Sequence, residues 1–164
     1  MPPAFSSVST ETLLKLDNQF CFALHAASRR VVRAYRPVLE ELDLTYPQYL
    51  VMLVLWEWDH ERHSHPTVKA LGERLELDSG TLTPLLRRLE DKGLIDRERS
   101  QDDERELYVR ITRAGRALKQ QARRIPISAL ENAPLPLAEI FALRDQLNRL
   151  RAAMAASDVT DAPA

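Results

Sequence analysis

Between Thr67 and Thr112 the apolar residues form two stripes of helical period and then fall to a period of two, and that order leaves few folds open. Val68, Leu71 and Leu75 recur at the three-to-four-residue interval that gives a helix one apolar face. The chain then breaks at Glu76 to Ser79, where Asp78 and Ser79 are good N-caps. A second stripe follows in Leu82, Leu85, Leu86 and Leu89 before Gly93 offers a left-handed stop. From Leu107 the period falls to two: Leu107, Val109 and Ile111 alternate with Tyr108 and Arg110, and Ile95, Arg97 and Arg99 can form the opposing strand. Helix, tight turn, helix and hairpin in that order predict a winged helix-turn-helix over residues 67–112. The face of the second helix opposite its leucines holds Ser79, Thr81, Thr83, Arg87 and Arg88. Hydroxyls can touch bases or phosphates and arginine favours guanine edges and phosphates, so these five are candidate DNA-contacting residues. The plain alternative is a solvated amphipathic face.

The hairpin tip, Ser100 to Arg105, is polar and carries three acids. Arg105, projecting beside a recognition helix, could enter a minor groove, where negative potential concentrates, with Asp102 holding its guanidinium by a paired contact. A solvated acidic turn is the other reading. Pro84 complicates the second helix, because proline removes a backbone donor and crowds the carbonyl four residues earlier, here that of Gly80. Either the first turn bends at Gly80, or the regular helix starts at Pro84 with Thr83 as cap.

The flanks read as helices. Residues 17–42 form one long helix by pattern, with Asp17 as cap, Phe20, Leu24, Ala27, Val31, Val38 and Leu42 on one face, and Pro37 as a kink. Thr45 caps a second helix through Val54 and beyond, and Thr112 caps a third running to about Arg124. A break is expected at Ile125-Pro126, after which Leu137, Ile140, Phe141, Leu147, Leu150 and Met154 mark a last helix. The expected organisation is therefore an N-terminal arm (1–16), N-terminal helices (17–54), the winged helix-turn-helix (67–112), C-terminal helices (113–156) and a disordered tail (157–164). The class is mainly α with a small β-wing. Terminal helices with wide apolar faces need covering, by their own domain or by a second copy across a two-fold axis, which makes them candidate dimerisation helices.

With 23 Lys and Arg against 24 Asp and Glu the chain has a net charge of −1, which by itself argues against a nucleic-acid partner. Residues 79–124, however, hold 12 basic against 8 acidic side chains, and counterion release depends on charge close to phosphate. No apolar run approaches the roughly 18 residues of a membrane span. The Met1-Pro2-Pro3 start shows neither the basic segment nor the apolar core of a secretory signal, so a cytoplasmic protein with no membrane partner is expected.

Cys21 is the one cysteine, so no disulfide can form within a chain. It is either a small buried hydrophobe or, near the first turn of a helix, a thiolate favoured by the helix dipole. His25 follows one turn later on the same face. Farther on, His60, His63 and His65 stand among carboxylates between Trp58 and Pro66. Zinc ligation and a solvated connection are the two readings, and the absence of a visible second shell favours the connection. No metal or other cofactor is expected.

Leu77-Asp78-Ser79-Gly80-Thr81-Leu82-Thr83-Pro84-Leu85-Leu86, Gly93-Leu94-Ile95 and Asp102-Asp103-Glu104-Arg105 together resemble the MarR family of winged-helix regulators. Leu16 to Leu24, Tyr35-Arg36-Pro37 and Leu44 to Leu50 resemble its organic-hydroperoxide-sensing branch, the OhrR-like repressors, and the match runs over about residues 16–128. The resemblance implies a homodimeric repressor, not an enzyme, that leaves double-stranded operator DNA when its N-terminal cysteine is oxidised by an organic hydroperoxide. It implies a redox site of Cys21 with Tyr35 and Tyr46, whose hydroxyls meet the cysteine across the dimer interface. Where this chain has His25, members of the branch commonly carry Tyr. A low-molecular-weight thiol would convert the sulfenic acid to a mixed disulfide. Some members hold a second cysteine near the helix after the wing; this chain has Ser128 in that region. The alternatives are a MarR-type regulator gated by a small phenolic or apolar anionic ligand, and a thiol peroxidase, which would leave the winged helix without a task.

Overall fold

The element that organises the chain is a helix apolar on every side, and such a helix is stable only when surrounded. In the computed structural model this is α3 (Tyr46–Glu61), which buries Tyr49, Val51, Met52, Val54, Leu55, Trp56 and Trp58. It is preceded by α1 (Thr10–Leu13), a 3-10 turn (Leu16–Asn18) and α2 (Phe20–Glu40). After it come α4 (Val68–Leu75), α5 (Ser79–Asp91), the strands β1 (Ile95–Arg99) and β2 (Leu107–Ile111), α6 (Arg113–Ala122), α7 (Arg124–Glu131) and α8 (Leu137–Thr160). The structure describes residues 9–62, 66–99, 106–131 and 134–160. The chain parts into two compact units between Ile125 and Pro126.

Within the first unit the helix-turn-helix and wing form as the spacing predicts. The Thr67 hydroxyl accepts the Ala70 N–H at 3.1 Å to start α4, and Glu76, in the left-handed region at φ 54°, ends it. The Leu77 N–H returns to the Gly72 carbonyl at 2.9 Å, close enough that a Cβ on Gly72 would stand 3.0 Å from the Leu77 oxygen. Asp78 caps α5, which buries Leu82, Leu86 and Leu89 and runs unbroken through Pro84. Of the two readings of Pro84, the helix therefore starts before it, and the crowded carbonyl belongs to a residue without a side chain. At the other end Gly93, at φ 67°, donates to Glu90 O and Leu94 donates to Leu89 O, the paired bonds of a Schellman stop. β1 and β2 pair antiparallel with Ile95 opposite Ile111 and Arg97 opposite Val109. Pro66 O accepts the Val109 N–H at 2.7 Å, which ties the entry to α4 onto the wing.

Helix α6 is fastened to both the wing and α3. Thr112 caps it through the Gly115 N–H and donates its own hydroxyl to Gly93 O at 2.7 Å, while Trp56 Nε1 donates to Gly115 O at 2.8 Å. Arg116 closes the same contact on Asp59 at 2.8 Å.

Three boundaries differ from expectation. Asp17 does not cap α2. It lies in the 3-10 turn, where the Asn18 and Gln19 side chains donate to backbone carbonyls of Thr12, Leu13 and Lys15, and the helix begins at Phe20 with Gln19 in the cap position. Ile125-Pro126 does not interrupt the helical run for long. Pro126 is the third residue of α7, a position whose N–H has no intrahelical acceptor to lose. The last helix continues to Thr160, into the stretch expected as a disordered tail.

Candidate nucleic-acid interface and cysteine site

Helix α5 presents Ser79, Thr81, Thr83, Arg87 and Arg88 on its exposed side, as the leucine stripe requires. Their states differ. The Asp78 carboxylate accepts the Thr81 N–H at 2.8 Å and the Thr81 hydroxyl at 2.9 Å, so that hydroxyl is committed as a donor. The same bonds hold the Asp78 carboxyl below its ordinary value. Thr81 is thus first a capping partner, left only with acceptor capacity toward solvent.

The arginines separate by partner. Arg97, Arg110 and Arg116 are bound to Glu90, Glu98 and Asp59, and Lys92 to Asp43. The side chains of Arg87 and Arg88 make neither hydrogen bond nor ion pair among the described residues, so their charge remains available. The Arg97 fork donates to Glu90 at 2.5 and 3.0 Å while the Arg97 N–H reaches the other carboxylate oxygen at 3.2 Å, which locks the wing to the end of α5. Arg97, predicted only as a strand residue, is this clasp. Asp102 and Arg105 lie outside the described residues, as do His63 and His65, while His60 is exposed near the end of α3.

Cys21 is the second residue of α2 and exposed, with first-turn amides around it that no side chain caps. His25 is exposed one turn farther along the same face. Tyr35 lies fourteen residues beyond Cys21 on the same helix, about 21 Å away at 1.5 Å per residue, so the two cannot meet within one chain. Tyr35 does meet Tyr46: the rings pack edge to face with centroids 5.3 Å apart. A third ring, missed in the sequence, completes the group. Tyr49 packs 6.5 Å from both and 6.4 Å from Trp56, and only 4% of it is exposed. Burial first, and then the neighbouring phenols, push Tyr49 up to about 12, and burial raises Tyr46 in the same direction. The one available signal was the Tyr46, Tyr49 spacing, which puts two phenols on one helical face.

The faces of α2 and α8 are apolar and open. Phe20 is 60% and Val31 54% exposed on α2, and Phe141 is 43% exposed on α8, with Phe22, Leu24, Leu137 and Leu147 also exposed. Among the described residues no helix is long and apolar enough to cross a membrane.

Known proteins bear on this geometry. The model of the transcriptional regulators SarA and Rot matches residues 33–122. The chain is 51% identical over 113 residues to the organic hydroperoxide resistance transcriptional regulator of Bacillus subtilis, covering 69% of this chain and 74% of that protein. It is 46% identical over 136 residues to the HTH-type transcriptional regulator TtmR of Methylorubrum extorquens, covering 83% and 67%. Among solved structures, reduced AbfR bound to DNA superposes with a TM-score of 0.69 at 34% identity, over 85% of this chain and 92% of that one. AbfR, a protein of Staphylococcus epidermidis, has also been solved in overoxidised and disulfide forms.

Proposed function

Because this chain belongs to the winged-helix transcriptional regulators of the MarR and SarA type, we propose that it is a cytoplasmic homodimeric repressor that binds operator DNA and releases it when Cys21 is oxidised by an organic hydroperoxide. The observation that carries the reading is the placement of Cys21 and Tyr35 on one stripe of α2, too far apart to meet in one chain, with Tyr35 already stacked on Tyr46. Residues 21, 28 and 35 repeat every seven, so two α2 helices running antiparallel about an axis beside Ser28 bring each Cys21 to Tyr35 and Tyr46 of the partner subunit. Ala26, Ala27 and Ser28 are small enough for the backbones to approach there. Such a pairing also covers exposed apolar residues of α2, and α8 offers a second apolar surface for a partner copy.

In this reading the reduced dimer presents two α5 helices to successive major grooves, about 34 Å apart. Arg87 and Arg88 are the free cations of the reading helix, Ser79 and Thr83 add hydroxyl contacts, and the wing tip, with Asp102 orienting Arg105, reaches the neighbouring minor groove. The thiolate, favoured by the α2 amides and by phenol donors, attacks the terminal oxygen of the hydroperoxide. The O–O bond breaks, the sulfur gains oxygen as a sulfenic acid and the peroxide leaves as its alcohol. A small thiol then forms a mixed disulfide and releases water. A bulky adduct where a thiolate had sat between phenols displaces α2 from its partner and changes the separation of the two α5 helices.

The test is operator binding by wild type and Cys21→Ser, before and after an organic hydroperoxide. Wild type should release DNA on oxidation and Cys21→Ser should stay bound. Peroxide-driven release in Cys21→Ser would overturn the sensing assignment and favour a ligand-gated regulator.

A further inference from the structure

The geometry points to Tyr49 as a positioning residue of the peroxide-sensing site, setting the rings of Tyr35 and Tyr46 so that their hydroxyls meet the incoming thiolate of the partner subunit. This inference rests on the sensing function proposed above. Tyr46 opens α3 and Tyr49 lies one turn later on the same face, so one rigid helix fixes their relation. Tyr35 arrives from α2 and packs on both, edge to face on Tyr46 and tilted on Tyr49. Tyr35 and Tyr46 are half-buried, whereas the ring of Tyr49 is buried beneath them and continues to Trp56, whose indole is anchored to Gly115 O at 2.8 Å. Tyr49 is thus the base on which the two outer phenols stand, joined through Trp56 to the buried core.

None of the three phenol hydroxyls has a hydrogen-bond partner, yet no buried side-chain oxygen among the described residues lacks one, so all three tips open at the surface of the cluster. Two unengaged donors on rings of fixed tilt are what a thiolate needs, because hydrogen-bond strength falls steeply with misalignment. The high value of the Tyr49 phenol keeps it neutral and its ring apolar throughout the working pH range. Removing the ring would leave Tyr35 and Tyr46 free to tilt; removing only its hydroxyl would not.

The test uses the full-length reduced dimer, with the rate of Cys21 alkylation by iodoacetamide followed against pH and the rate of oxidation by cumene hydroperoxide at pH 7. Tyr49→Leu and Tyr49→Met, two ringless variants that guard against one failing to fold, should move the alkylation profile up by about one pH unit and slow oxidation about tenfold. Reduced operator affinity should hold to within about twofold, and Tyr49→Phe should follow wild type. A Tyr49→Phe shift as large as that of Tyr35→Phe overturns the proposal, since the hydroxyl would then act directly. So does an unmoved profile in the folded ringless variants, the result of a purely structural ring. If Tyr35→Phe and Tyr46→Phe themselves leave the profile unmoved, the sensing reading falls and takes this proposal with it.

Discussion

Arg87 on α5 and Arg97 on β1 are both arginines of the helix-turn-helix and wing, and the presence or absence of a partner sets them apart. Arg97 is consumed by Glu90, whereas Arg87 faces solvent with its charge unneutralised. Arg87→Ala should therefore weaken operator binding by about 1–3 kcal/mol if the side chain reads a base, and lower the salt slope by about one if it holds a phosphate. Titration of a labelled operator at two or more salt concentrations separates the two. Glu90 carries a pH signature instead. The Arg97 hydrogen bonds hold its carboxyl below the ordinary 4.5, so the pair stabilises the fold fully above that pH and loses its contribution as pH falls through the lower folded value. In urea melts, the stability gap between wild type and Glu90→Gln should be widest above pH 4.5 and shrink toward pH 3. The five α5 residues were legible in the sequence because a leucine stripe dictates its own opposite face. The commitment of the Thr81 hydroxyl to Asp78 was not legible, since whether a cap residue bonds backbone alone or a side chain as well depends on rotamers.

At the level of elements, the sequence predicted both helices of the reading head and both strands of the wing, because each ends at a residue with a local reason to stop. It missed α7 for an equally local reason: a proline reads as a break unless its place in the first turn is known, and Pro126 occupies that place. A Cβ on Gly115 would lie 2.2 Å from Leu94 O and 2.7 Å from Ile111 Cγ1, so Gly115→Ala must push α6 away from the wing. It should cost about 2–3 kcal/mol, read as a lower Tm. For α2, an antiparallel pairing centred beside Ser28 predicts that Ser28→Cys in a Cys21→Ser background forms an inter-subunit disulfide under mild oxidant, since the two Cα atoms then approach within roughly 7 Å. A cysteine moved to position 24, about 6 Å along α2 from the proposed axis and so about 12 Å along the helices from its counterpart in the partner subunit, should cross-link far less on non-reducing gels.

In the whole molecule, the reading head is complete within one chain, whereas the sensor proposed for it is not. Cys21 and Tyr35 lie fourteen residues apart on α2, with Tyr46 and Tyr49 of α3 packed at the Tyr35 end, and in the proposed dimer it is the second copy that brings the two together. The resemblance in the sequence named Cys21, Tyr35 and Tyr46, and the helix expected over 17–42 already set Cys21 and Tyr35 a fixed distance apart; what periodicity could not show is the packing of Tyr35 on Tyr46, which depends on how α2 meets α3. Sensing is then separable from binding, and the separation can be measured in one experiment. Reduced protein on its operator is treated with increasing cumene hydroperoxide, with and without a small thiol, and at each step the fraction of DNA released is compared with the fraction of Cys21 found by mass spectrometry as sulfenic acid or mixed disulfide. The two fractions should rise together, and the thiol should increase release at equal oxidation because its adduct is larger. DNA released while Cys21 remains reduced would contradict the redox mechanism.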